Sequence, residues 1–291
     1  MPNLAIIPLT NQSRSFPIVG IGASAAGLQA VSELLGELSP DCTLACLVVI
    51  HLDPDHASSL PEILARRTSP QVVQAVDAMS IEMGHVYVIP PAVSMTVRDR
   101  RIRLRPRETT MGPPIPVDDL LDSLAKDQGT NAIGVILSGT GSDGVLGLQS
   151  VHNEGGITLA QDEDTAAFAS MPRLAVAQGC VDLVLPPLRI GQEVCRMGMH
   201  PHLALFRLEQ STRMADPSEE SLRPVFRILG SACKVDFSHY KRGTIYRRLS
   251  RRMALHRISD IDDYVALHQR APRSLLDLDQ MNMIRANLLR A

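Results

Sequence analysis

The sequence contains no tryptophan, and only 3% of its residues are aromatic. With 45% apolar residues it must fill a core from Val, Ile, Leu, Ala and Met. That supply suits buried parallel strands covered by helices better than an aromatic-rich β-sandwich. Net charge is also nearly absent, at a formal -2, which argues against a chain that binds nucleic acid over its whole surface. The five cysteines, Cys42, Cys46, Cys180, Cys195 and Cys233, show no CxxC or Cys/His spacing of a zinc site. They are expected to be reduced and mostly buried, and neither metal nor cofactor is expected. No apolar run approaches a membrane span, and MPNLAIIPLT lacks the basic region of an export signal. The expected location is the cytoplasm, without membrane insertion.

What is present is alternation. From residue 16 onward, short β-branched runs alternate with helical stretches, the pattern of βαβ units. PIVGIG, ACLVVIHL, HVYVIP, AIGVILSG, GITLAQ and VDLVLP read as strands. LQAVSELLGEL, SSLPEILARR, PVDDLLDSLAKDQG and GVLGLQSVHNEGG read as helices, with Ser58 or Ser59 available to cap the second. VSMTV and RIRLR flank a charged turn and predict an antiparallel hairpin. The fold class is thus α/β, a doubly wound, mostly parallel sheet of about seven strands with a projecting hairpin, followed by a small all-α module.

The expected division is an N-terminal tail over 1–15, the α/β domain over 16–200, a polar linker over 201–220, the helical module over 221–275 and a tail over 276–291. FRILGSACKV, YRRLSRRMALH and IDDYVALHQR read as the module's helices, the last with a start at Ser259 resembling a capping box.

Three polar residues follow three buried strands: Ser24, His51 and Asp143. In an open parallel sheet the carboxyl ends of the strands share one edge, where ligands bind. GIGASAAG presents Ser24 at a helix start, where free N–H groups favour a developing oxyanion. His51 can take its proton, and Asp143 can orient the imidazole. Other readings stay open at this point. A glycine turn after a first strand also suits a dinucleotide, with Asp53 as the ribose-binding acid. A strand-end histidine can be purely structural, and Asp143 can be a turn residue or helix cap.

GASAAGLQAV, VVIHLDPDH, HVYVIPP, VILSGTGSDGVLGL, GITLAQDEDTA and MPRLAVAQGCVDLVLP, in this order across residues 16 to 187, resemble the catalytic domain of the CheB protein-glutamate methylesterases. The resemblance implies hydrolysis of glutamate γ-methyl esters on the cytoplasmic helices of methyl-accepting chemotaxis receptors, often with glutamine deamidation. It implies Ser24 as nucleophile, His51 as base and Asp143 as orienting acid. Backbone amides of Ala25 and Thr140 are the candidate oxyanion donors. One departure is local: Ala26 stands where the family usually has glycine, and a left-handed backbone there would make alanine costly and leave a catalytically silent, receptor-binding protein as an alternative. Only about fifteen residues precede the first strand, so no receiver domain in the same chain is expected to regulate it.

FRILGSACKVDFSHYKRGTIYRRLSRRMALHRISDIDDYVALHQRAPRSLLDL looks like the N-terminal helical domain of the CheR receptor methyltransferases. No cofactor-binding Rossmann-like domain follows residue 276, so methyl transfer is not expected. Arg247, Arg248, Arg251 and Arg252 share one helical face, opposite Ile245, Leu249 and Met253. That face is either a solvated basic surface or, as the resemblance implies, a docking surface for acidic receptor helices; nucleic acid is disfavoured because no aromatics interleave.

Overall fold

A computed structural model describes residues 16–51, 59–107, 115–199, 249, 251–258 and 260–270. The chain divides into two compact units, Met1–Thr212 and Arg213–Ala291. The segment expected as a linker lies outside the described residues.

The first unit contains nine strands among its described residues: β1 (Ile18–Ala23), β2 (Ala45–Ile50), β3 (Gln71–Gln74), β4 (His85–Val88), β5 (Val93–Arg98), β6 (Arg101–Pro106), β7 (Ala132–Ile136), β8 (Ile157–Gln161) and β9 (Leu183–Leu185). Its helices are α1 (Leu28–Gly36), α2 (Leu60–Ala65), α3 (Pro116–Gln128), α4 (Val145–Asn153), α5 (Ser170–Ala177) and α6 (Pro187–Gly198). Seven strands form one parallel sheet in the order β3-β4-β2-β1-β7-β8-β9. Strand order reverses at β1 and β7, the position where such sheets leave a crevice at their carboxyl edge.

Every residue of β1, β2, β7 and β8 is buried, because helices cover both faces. Ile18, Leu47, Val49, Tyr87 and Ile136 belong to a cluster completed by α3, α4 and the β5–β6 hairpin. The alternate residues Val19, Ile21 and Val48 are fully buried as well. Each such side chain contributes on the order of 1.5–3 kcal/mol of burial. β1 is bare where α3 crosses it: a Cβ on Gly22 would collide with the Val117 side chain, so glycine lets the helix approach the sheet closely.

The hairpin forms as the alternation predicts, with Arg98 paired to Arg101. Its two turn residues, Asp99 and Arg100, have φ of 53° and 55°, a left-handed geometry that non-glycine residues rarely adopt. The Asp127 carboxylate at the end of α3 accepts both of their backbone N–H groups, at 2.5 and 3.1 Å, and offsets that strain.

Three elements were not foreseen. β3 has the burial pattern of an edge strand, with Gln71 and Gln74 exposed, so its sequence QVVQ lacks an apolar run. α5 and α6 carry prolines near their starts, Pro172 and Pro187, which a first helical turn tolerates. Expected caps also shift. Ser59 precedes α2 without a side-chain capping bond, and Ser58 lies outside the described residues.

The cysteines correct the expectation of a fully reduced chain. Cys42 and Cys195 are joined as a disulfide, with Cα atoms 5.3 Å apart, within the range such a bond requires. Ser39 Oγ lies beside both sulfurs, at 3.7 and 3.8 Å. Cys46 and Cys180 are free and buried; burial pushes the Cys46 thiol up to about 12. No contiguous metal-binding spacing predicted this pair, because its members stand 153 residues apart.

In the second unit the described residues are helical over 251–255, and α7 spans Ile261–Arg270. Leu249, Met253, Ala254, Tyr264 and Val265 are buried, as the apolar stripe at Leu249 and Met253 requires. Asp260 caps α7: its carboxylate accepts the Asp263 N–H at 3.3 Å, and Ser259 lies outside the described residues. Among the described residues no helix is long and apolar enough to cross a membrane.

Candidate active site

The three candidate residues follow three adjacent strands, β2, β1 and β7. Ala23 and Ile50 are register partners, so Ser24 and His51 are the next residues on neighbouring strands, which run about 4.8 Å apart. The His51 N–H donates to the Ala23 carbonyl at 3.2 Å, and the Ser24 N–H to the Ser138 carbonyl at 3.1 Å. These bonds carry the sheet pairing one step past the strand ends.

His51 Nε2 lies 2.6 Å from Asp143 Oδ2. A carboxylate only accepts, so Nε2 carries the proton and Nδ1 is left basic. Asp143 is 7% exposed and His51 31%; the carboxylate is enclosed while the imidazole is partly open to solvent. The acid is fixed at the start of α3, where Val117 and Asp118 N–H groups donate to its two oxygens at 3.0 and 2.9 Å. Free amides and the helix dipole favour an anion there. Asp143 is thus no mere turn residue, and it does not cap α4: Gly144 holds that position, with φ of 93° and no side-chain capping bond.

Ser24 has an extended backbone, φ -84° and ψ 175°, before the 3-10 turn Ala25–Gly27. Its hydroxyl lies 3.5 Å from the Ser138 carbonyl, at the outer limit of a hydrogen bond. A Cβ on Gly27 would stand 2.5 Å from the Ser138 oxygen, so the turn presses on the loop that carries Asp143. Ala26 is exposed and is not among the residues with positive φ. The feared left-handed strain at this position is absent. Ala25 and Thr140 are both exposed on the same edge, and among the described residues neither backbone N–H has an acceptor.

Supporting residues escaped the sequence reading. Ser138 N–H donates to Gln161 Oε1 at 2.7 Å, and Ser138 Oγ accepts the Phe168 N–H at 3.0 Å. Gln161 is 2% exposed; a polar residue closing an apolar strand was the available signal. Asp118, also buried, accepts the Gly147 N–H at 2.7 Å, and burial and the neighbouring Asp143 charge push its carboxyl up. Burial pulls the Arg107 guanidinium below its ordinary value, and the nearby Asp143 charge offsets only part of that.

Asp53, the residue a ribose would need, lies outside the described residues, as do Arg247 and Arg248. Arg251 is only 8% exposed and Arg252 is partly buried. Arg251 is therefore enclosed and not held out on an open basic face. Among the described residues no group of three or more His, Cys, Asp or Glu side chains is arranged to hold a metal ion.

Fold and site define a doubly wound α/β protein with a hydroxyl, an imidazole and a carboxylate at the ends of three adjacent strands. The CheB methylesterase family matches residues 19–194, and the chain belongs to that family. The all-alpha domain of CheR methyltransferases matches residues 220–277, so the two domains follow one another as in a fusion. An uncharacterized 104.1 kDa protein of Rhodobacter capsulatus is 35% identical over 226 residues, 72% of this chain and 24% of that protein. A protein-glutamate methylesterase/protein-glutamine glutaminase 1 of Geobacter sulfurreducens is 36% identical over 189 residues, 63% of this chain and 52% of that protein. The chain therefore spans about a quarter to a half of these relatives' lengths. The crystal structure of the Thermotoga maritima CheB methylesterase catalytic domain superposes with a TM-score of 0.57 at 26% identity, over 63% of this chain and 99% of that one.

Proposed function

We propose that the chain is a protein-glutamate methylesterase that acts in the cytoplasm on the methylated helices of chemotaxis receptors. The observation that carries this is the 2.6 Å contact of His51 with Asp143, one strand away from Ser24. A χ1 rotation takes the serine hydroxyl from Ser138 toward the basic Nδ1. Ser24 Oγ then attacks the γ-carbonyl carbon while its proton passes to His51. The oxyanion is held by the Ala25 and Thr140 N–H groups. Collapse breaks the bond to the methoxy oxygen, which leaves as methanol with the proton from His51. Water, deprotonated by the same imidazole, attacks the acyl-serine and releases glutamate and free Ser24. A glutamine side chain follows the same route with ammonia as leaving group.

Asp143 fixes the tautomer and stabilises the imidazolium that forms twice per cycle. Methanol release from methylated receptor tests the reading: it is expected from the native chain and absent in Ser24→Ala. Undiminished release by a folded Ser24→Ala protein would overturn the assignment.

A further inference from the structure

β6 carries an arginine at every second position. Arg101, Arg103 and Arg105 are register partners of Arg98, Thr96 and Ser94 on β5. The intervening Ile102 is buried, as are Met95 and Val97, in one apolar cluster with Leu120, Leu121 and Leu124 of α3. Side chains alternate across a strand, so the arginines stand on the hairpin face turned away from α3.

This face is built against its own interest. Arg98 and Arg101 are directly opposed like charges, an unfavourable cross-strand pair. Asp99 lies 3.8 Å from Arg98 and Arg101 donates to the Ala78 carbonyl at 3.0 Å. Among the described residues, however, no carboxylate pairs with Arg101, Arg103 or Arg105. The flanking Asp77 carboxylate accepts the Leu104 backbone N–H at 2.9 Å.

The direction of the row is fixed by α3. Its carboxyl end holds the hairpin turn through Asp127, and its amino end holds Asp143. β6 therefore runs from the far end of α3 back toward the catalytic edge, and Arg107, just past the strand, reaches the field of Asp143. Alternate residues on a strand are roughly 6.8 Å apart, and residues four apart on a helix rise about 6 Å. Carboxylates at i, i+4 and i+8 of a helix laid along β6 thus meet three successive guanidinium groups, and long side chains absorb the small mismatch.

We propose that the outer face of the hairpin, through Arg101, Arg103 and Arg105, is a docking track for an acidic helical polypeptide whose glutamates recur at every turn. The track leads such a helix toward Ser24. This inference rests on the methylesterase reading for its choice of partner, since a helix bearing several methylatable glutamates becomes more acidic with each ester removed. Nucleic acid fits less well, because the outer face offers Ser94 and Thr96 and no ring on which bases could stack.

The test reads binding without turnover. A fluorescent helical peptide with glutamate at i, i+4 and i+8, and a matched glutamine peptide, are titrated into the full chain carrying Ser24→Ala. The glutamate peptide is expected to bind at least roughly tenfold more tightly than its glutamine counterpart at low salt, with the preference shrinking as salt screens it. Adding Arg103→Glu and Arg105→Glu is expected to abolish the preference while the melting temperature stays close to that of the parent. The milder pair Arg103→Gln and Arg105→Gln should weaken it by an intermediate factor. Equal binding of both peptides, a preference that survives charge reversal, or a single-stranded oligonucleotide that outcompetes the glutamate peptide would each overturn the track. A chain unable to hydrolyse any ester would still answer the question, so failure of the catalytic reading and failure of the docking reading remain distinct.

Discussion

Asp118 in the first turn of α3 accepts the Gly147 N–H of α4 at 2.7 Å, while its own N–H donates to Asp143. One residue thus ties together the helix that anchors Asp143 and the helix that begins just after it. Asp118→Ala leaves the α4 amide unsatisfied and is expected to cost about 1–3 kcal/mol. Asp118→Asn keeps an acceptor and is expected to cost less. Because burial raises the Asp118 carboxyl above the ordinary carboxylate range, the folded chain keeps that proton to a higher pH than the unfolded chain does. Its stability contribution is therefore full below the ordinary carboxylate value and is lost as pH rises through the folded one. Urea midpoints should accordingly favour Asp118→Asn over the native chain progressively as pH rises from acid to neutral.

Asp143→Asn is expected to keep the fold, because an amide oxygen can still accept a helix N–H. It no longer enforces a proton on His51 Nε2. With the serine mechanism operating, kcat for methanol release should fall by roughly 10³–10⁴-fold while KM changes little. A variant within tenfold of native kcat would remove Asp143 from the mechanism.

The two small residues of the serine turn should behave oppositely. Gly27→Ala forces a methyl group against the Ser138 oxygen and the Ala23 Cβ, at 2.5 and 2.8 Å, and is expected to destabilise by about 1–3 kcal/mol with loss of activity. Ala26→Gly relieves nothing, because Ala26 lacks a positive φ. It should slightly lower stability through the unfolded chain and leave methanol release unimproved. Thermal unfolding and turnover measured on both proteins check the pair.

Cysteine mapping tests the disulfide. Alkylation of unfolded, unreduced protein should label Cys46 and Cys180 and spare Cys42 and Cys195; Cys233 lies outside the described residues. Reduction should expose the protected pair and lower stability by about 2–5 kcal/mol.

Much of this molecule was legible because its information is periodic or terminal. The runs IVGIGA, ACLVVI and AIGVI could be little other than buried strands, and residues closing them had to share an edge. The hairpin was legible from alternation. What escaped lay in pairings the chain makes with itself at a distance. The Cys42–Cys195 bond joins a loop to a helix 153 residues on. Asp118 looks like an ordinary acid in a first helical turn until Gly147 is seen beside it. QVVQ forms an edge strand only because β4 offers partners. On the basic helix, spacing groups Arg251 with Arg252, and only the folded structure reveals that Arg251 is enclosed.

The missing side chain of Gly22 acts as a spacer gauge for the candidate site. Val117 occupies the room it vacates, and the Val117 amide grips the acid. Any bulk placed in that central strand would jack α3 away from the sheet and lift the carboxylate off the imidazole. The spacing at the rim is therefore set from inside the core, by a side chain that glycine lacks.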